Sequence, residues 1–228
     1  VIRPQHIRID FDRAGQGRVD AFFLGGGQID GEANINLVST GPYPEPDTRF
    51  PGSFGSAYLY FAVPRLILFR EEHSRRVFVD KVDFVSAPGW SPPGVHRPGG
   101  PHALVTSLCI FMYNKGRHRF RLDGLLPGAT LEEVRDNTGF DFDCPDDVGP
   151  VVAPEPDRIA LIHSRIAGEI AETYPEFARN RHTNHGGDLV CAGDIALSAG
   201  DERRKAICRY WRNATRPKHR LQRRASGA

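Results

Sequence analysis

VDAFFLGGGQIDGEANINLVSTGPYPEPDTRFPGSFGSA, residues 19 to 57, sets two glycine clusters and a polar Gln28-Ile29-Asp30 between apolar runs. Ala21-Phe22-Phe23-Leu24 reads as a short strand buried on both faces, closed by the bare backbone of Gly25-Gly26-Gly27. Without Cβ atoms, such a loop lets another group approach closely and leaves amides free to point at it. The second cluster, Gly52-Ser53-Phe54-Gly55-Ser56, precedes the apolar run Tyr58 to Val63. The aromatic run suits a helix or a strand by propensity; a helix would aim its first amides at the cavity the glycine loop faces. Asn34 and Asn36 alternate on an extended segment and would share one side of it. This spacing describes a ligand site at strand ends, and turn glycines alone would read the same way.

Working outward, Leu66 to Phe69, Val77 to Val79, Val82 to Val85, Ala103 to Met112 and Arg119 to Leu122 read as strands, the last an edge. Thr130-Leu131-Glu132-Glu133 is a capping box for a helix that should stop near Asn137 to Gly139, at a glycine-terminated end. Pro145 to Pro156 reads as an acidic linker. Ile159, Ile162, Ile166 and Ile170 then fall at helical spacing, predicting an amphipathic helix that packs on the body. The charged turn 70 to 76 reads as a solvated connection in which His73 has no catalytic part. His96 and His102, in an irregular loop rich in proline and glycine, either position a carboxylate or sit on the surface.

Charge divides the chain. Residues 179 to 228 hold 12 Lys/Arg against 4 Asp/Glu, which leaves 18 against 24 in residues 1 to 178. We therefore expect one domain over 1–178 and a basic tail over 179–228, whose Thr215 to Arg224 run would attract polyanions without sequence preference. With no membrane-length apolar run and no signal pattern at its start, the chain reads as cytoplasmic. Cys109, Cys144, Cys191 and Cys208 form no CxxC pair, and Cys109 in an apolar run reads as a buried hydrophobe. His182, His185 and Asp188 are three apart on a polar loop, too few ligands to predict a metal site.

Six stretches carry a resemblance: FLGGGQID (23 to 30), ANIN (33 to 36), RFPGS (49 to 53), KVDFVSAPG (81 to 89), GGPHALVT (99 to 106) and LPGATLEEVRDNTGFDF (126 to 142). In order and spacing they resemble the β subunit of family I coenzyme A transferases of the glutaconate CoA-transferase kind, over roughly two thirds of the chain. The resemblance implies an α/β three-layer sandwich with a mainly parallel open sheet. It also implies exchange of CoA between an acyl-CoA and a free carboxylic acid, with an α subunit as partner, a CoA thioester as substrate and no permanently bound cofactor. In the family a glutamate in a glutamate-glycine motif attacks the thioester, giving an anhydride and then a glutamyl-CoA thioester. That motif lies upstream of Val1, so no catalytic residue is identified; Glu32, in a glycine-rich loop near the expected pocket, is a weak substitute.

By the same resemblance, Gly25, Gly26, Gly27, Gln28, Asn34 and Asn36 would contact CoA or substrate, and Gly52, Ser53, Phe54 and Gly55 would give amides to the thioester oxygen. Phe54 departs from the family's usual glycine, and implies either a bulkier, more apolar acyl group or an impaired site. Two other readings share the pattern: a ring-opening CoA-thioester hydrolase of steroid breakdown, and an inactive partner subunit.

Overall fold

The computed structural model describes residues 11–42, 44–173 and 175. The chain divides into two compact units, Val1–Val151 and Val152–Ala228. The division comes ahead of residue 178, where the charge shifts. Val151 still donates to the Leu125 carbonyl, and Leu125 bridges to Pro150, so the expected linker is partly stitched to the sheet. The basic run and the His182, His185, Asp188 group lie outside the described residues.

The first unit contains β1 (Ala21–Leu24), β2 (Gln28–Ile29), β3 (Ile35–Asn36), β4 (Ser39–Thr40), β5 (Thr48–Arg49), α1 (Ser56–Ala62), β6 (Arg65–Arg70), β7 (Pro101–Thr106), β8 (Cys109–Asn114), β9 (Arg119–Leu125) and α2 (Leu131–Asn137). Its main sheet runs β1-β6-β7-β8-β9. β1, β6 and β7 are parallel, β8 reverses and β9 reverses again, so four of the five strands point one way. The fold is α/β with a mainly parallel sheet. The predicted single strand from Ala103 to Met112 is instead the hairpin β7–β8. The Thr106 hydroxyl accepts from the Leu108 and Cys109 amides and turns the chain without a glycine or proline.

Leu24, Leu68, Leu104, Phe111 and Leu122 are neighbours across the five strands, and Phe111 lies among the rings of Phe120, Phe140 and Phe142. This row is one face of the sheet. The β2–β3 hairpin, Val77, Phe78, Ala87 and Val134 cover it. The opposite face differs from expectation: Phe23 is 63% and Phe69 47% exposed, their rings edge-on at 6.5 Å. β1 is the sheet's edge strand, so its alternate side chains do not share the burial of the core row. The other edge, β9, is closed by main-chain bonds between Asp143 and both Phe120 and Leu122.

Two predicted strands, 77 to 79 and 82 to 85, are not strands. Phe78 makes one isolated bridge to Ile29, and Phe84 and Val85 are exposed. Val77 and Val79 bond to the Ile29 main chain, and the second segment answers side chains, Val82 donating to Asp30 Oδ2 and Asp83 to Gln28 Oε1. α2 forms as its capping box predicts, with the Thr130 hydroxyl accepting from the Glu133 amide at 3.2 Å. Gly139 serves close approach, not a left-handed cap: its amide donates to the Phe78 carbonyl at 2.7 Å, and a Cβ would strike that oxygen. In the second unit, α3 (Pro156–Leu161), a π-helical turn (Ile162–Ile166) and α4 (Ala167–Thr173) make one helical run. Ile159 is buried, whereas Ile162 on the same stripe is 49% exposed.

Candidate functional site

The two glycine turns meet. Gly25–Gly27 leaves the C-terminal end of β1. α1 ends two residues before β6, which is parallel to β1, so its N-terminus and the Gly52–Gly55 loop point back to that same edge of the sheet. Consecutive carbonyls fix both: the Gly27 amide donates to Asn36 O at 2.8 Å and the Gly52 amide to Leu37 O at 3.1 Å. The loops are not bare throughout. A Cβ on Gly27 would run into the Phe50 ring and one on Gly55 into the Phe11 ring, so these two glycines make room for the protein's own aromatics. Gly52, at φ +104°, faces open space.

Phe54 occupies the left-handed region at φ +47° with 91% of its surface exposed. Left-handed backbone costs an L side chain roughly 1–2 kcal/mol, partly offset when glycine replaces it by the extra freedom of the unfolded chain. Phe54→Gly should therefore leave stability unchanged or raise it by about 0.5 kcal/mol, read from the urea midpoint. A clear loss would show that the ring contributes to packing.

Gln28 and Asn36 are buried, and their amides are spent internally. Gln28 Nε2 donates to Asp83 Oδ2 at 3.0 Å, and Gln28 Oε1 accepts from Asn36 Nδ2 at 2.8 Å. Asn36 Oδ1 accepts from the Val38 and Ser39 amides, and Asp83 Oδ2 also receives the Gly41 amide. The sequence reads these two amides as ligand contacts; the geometry makes them the brace that holds both glycine turns.

Asn34 and Glu32 lie elsewhere, at the tip of the β2–β3 hairpin. There Asp30 Oδ1 accepts from the Glu32 and Asn34 amides, and Asp30 Oδ2 from Asn34 Nδ2 at 3.0 Å. The Gly89 amide donates to Asn34 Oδ1 at 3.0 Å. Tyr60 and Tyr113 donate to the carbonyls of Ala33 and Glu32, and Tyr113 lies near the start of β7, at the sheet edge opposite the glycine turns. Glu32 is thus away from the expected pocket. Its exposed carboxylate accepts from the Trp90 indole at 3.2 Å, and that ring stacks on His118 at 4.5 Å. Burial raises the Asp30 carboxyl above its ordinary 3.8, against the hydrogen bonds from Asn34, Val82 and Glu32 that lower it. Sequence reasoning misses Asp30, Tyr60 and Tyr113; only the short span from Asp30 to Asn34, an Asx-type turn, hints at them.

The remaining candidates do not converge. His73 is a peg and not a solvated turn: its Nδ1 and Nε2 lie 2.8 and 2.9 Å from the hydroxyls of Thr106 and Thr138. His96 is exposed on its loop and His102 half-buried in β7. Cys109 is fully buried, and burial pushes its thiol up to about 12. Among the described residues no three His, Cys, Asp or Glu side chains group as metal ligands, and no helix is long and apolar enough to cross a membrane.

Comparison with known proteins places this arrangement. The chain is 37% identical over 151 residues to the β subunit of glutaconate CoA-transferase from Acidaminococcus fermentans, covering 63% of this chain and 56% of that one. The crystal structure of that organism's glutaconate CoA-transferase superposes with a TM-score of 0.59 at 32% identity, covering 70% of this chain and 64% of the other. It is 36% identical over 144 residues to the β subunit of 3-oxoadipate CoA-transferase from Pseudomonas knackmussii, covering 60% of this chain and 55% of the relative. It is also 31% identical to the cholesterol ring-cleaving hydrolase IpdB subunit of Rhodococcus jostii, over 67% of this chain and 61% of the relative. The IpdAB crystal structure from that organism superposes with a TM-score of 0.64, covering 69% of this chain and 64% of the other. The chain thus spans between 55% and 61% of the length of these curated relatives. The model of the coenzyme A transferase family matches residues 8–137, more than half of the chain and both glycine turns, and the chain belongs to that family.

Proposed function

We propose that this chain is part of the β subunit of an acyl-CoA:carboxylate CoA-transferase, moving CoA between an acyl-CoA and a free carboxylic acid, with an α subunit completing the active site. The observation that carries the reading is the fastening of Gly27 and Gly52 to the adjacent carbonyls of Asn36 and Leu37 at the C-terminal edge of the parallel strands. Open α/β sheets bind ligands at that edge. The amides of Ser53, Phe54 and Gly55 donate to no partner among the described residues. They would stabilise the thioester oxygen as attack makes it anionic. Gly25, Gly26 and Gly27 would lie along the substrate or pantetheine, with Gln28 and Asn36 holding the loop's shape and Asn34 ordering the hairpin tip. The CoA thioester is substrate and not resident cofactor, and the place of action is the cytoplasm, where acyl-CoA is made and used.

A second reading, the β subunit of a hydrolase that opens a ring carried on a CoA thioester, is favoured by the likeness to the IpdB subunit and by the apolar side chain at Phe54. The test uses the full β subunit together with its α subunit, an acyl-CoA and a labelled carboxylic acid. A transferase gives acceptor-dependent labelled acyl-CoA and a glutamyl-CoA adduct trapped by borohydride. A ring-opening hydrolase needs no acceptor: from a cyclic acyl-CoA it gives a product heavier by one water with the thioester kept, and no adduct. If neither product forms with any acyl-CoA, both readings are lost.

A further inference from the structure

We propose that Phe11, Phe54 and Tyr58 form an apolar lip beside the thioester turn that selects acyl-CoA substrates with an extended apolar acyl chain. The inference rests on the CoA-thioester reading above and deepens it. These three side chains, with Gly55, line one shallow cleft whose surface is almost entirely apolar.

Three features show a built surface. Phe11 is seated by Gly55, where any Cβ would collide with its ring, and Phe11 and Tyr58 lie 6.0 Å apart at 53°. Tyr58 is seated in the same way from the other side, since a Cβ on Gly15 would strike its hydroxyl. Phe54 is then held in left-handed backbone with its ring 91% exposed, an arrangement that costs the fold backbone strain and buries little apolar area in return. A ring kept out of the core at such a cost is explained by what it touches from outside.

The occupant follows from position. The lip is continuous with the amides of Phe54 and Gly55, which face the thioester carbonyl in the proposed site, so the group reaching the lip is the one bonded to that carbonyl. Among the described residues no charged side chain lines the cleft. A carboxylate-bearing short acyl group would lose hydration there without a partner, whereas methylenes gain by leaving water.

The experiment measures binding, so that it stands apart from turnover. Octyl-CoA and ethyl-CoA thioethers, which cannot react, are titrated calorimetrically into the complex of the full β subunit with its α subunit. We expect the wild type to bind octyl-CoA at least about tenfold more tightly than ethyl-CoA. Phe54→Ala should collapse that ratio to below about threefold, and Phe54→Leu, which keeps apolar bulk, should largely restore it. An equal ratio in wild type and Phe54→Ala, or a wild-type preference for the ethyl compound, overturns the proposal. If the ratio behaves as expected while CoA exchange is absent, the transferase reading fails and the apolar lip stands; if exchange occurs and the ratio does not respond, the reverse holds.

Discussion

Gly99→Ala unfolds the first unit or costs it about 3 kcal/mol or more. Gly99 lies where the chain enters β7, against the joint between α1 and β6. A Cβ there would run into the Val63 carbonyl oxygen and lie 2.6 Å from both Val63 C and Val63 N. Those are backbone atoms and cannot swing aside. Moving them would break a run of main-chain bonds: Gly99 to Phe61 O at 2.9 Å, Gly100 to Val63 O at 3.0 Å, and Leu66 to Gly100 O at 3.1 Å. Since these bonds anchor the C-terminal end of α1, and the Gly52–Gly55 loop leads into that helix, the damage reaches the site. Gly116→Ala is the control, because its added Cβ meets only Asn114 Oδ1, at 3.5 Å, and it should stay within about 0.5 kcal/mol of wild type. Urea unfolding of both variants decides the matter, and equal midpoints would refute the account of the β7 entry.

The GGPHALVT stretch reads from sequence as a loop entering a buried strand, and the strand is there. The reason for its first glycine is hidden, because it lies in a chain segment some 36 positions upstream that only the fold brings near. The same limit explains the other departures. Alternation in β9 and the capping box of α2 are local signals and appear as read. The β7–β8 hairpin turns on a threonine hydroxyl, and Thr106-Ser107 carries neither the glycine nor the proline that marks a turn. The run from Phe22 to Leu24 is apolar enough for a central strand, yet pairing puts it at the edge.

The two glycine clusters are legible as turns, and the fold fastens both of them to the consecutive carbonyls of Asn36 and Leu37. The amides Gln28, Asn34 and Asn36 are legible as polar groups near those loops. Whether a buried amide faces a ligand or a neighbour depends on Asp83 and Gly89, more than 50 positions away, and no local pattern records that pairing.

Asp30→Ala should cost about 3 kcal/mol at neutral pH, for reasons that belong to the hairpin tip alone. The substitution strands the amides of Glu32 and Asn34 and the Asn34 side chain, which now share one carboxylate that is 3% exposed. Each donor left without a partner in a buried setting is worth about 1–3 kcal/mol, with water reaching some of them and reducing the sum. Ala33 is held at φ +62° between Asp30 and Asn34, so once the carboxylate is gone that strained residue has less to keep it there. The pH dependence gives a second, independent signature. Burial raises the folded carboxyl above its ordinary 3.8, so the folded state holds the proton more tightly than the unfolded chain. Its linkage contribution to stability is therefore full below 3.8 and is lost as pH rises through the folded value. Wild type should accordingly exceed Asp30→Ala by more at pH 4 than at pH 7, in urea titrations run at each pH. A gap that shrinks on acidification would mean that the tip's hydrogen bonds outweigh desolvation, and that Asp30 is held as a stabilised carboxylate.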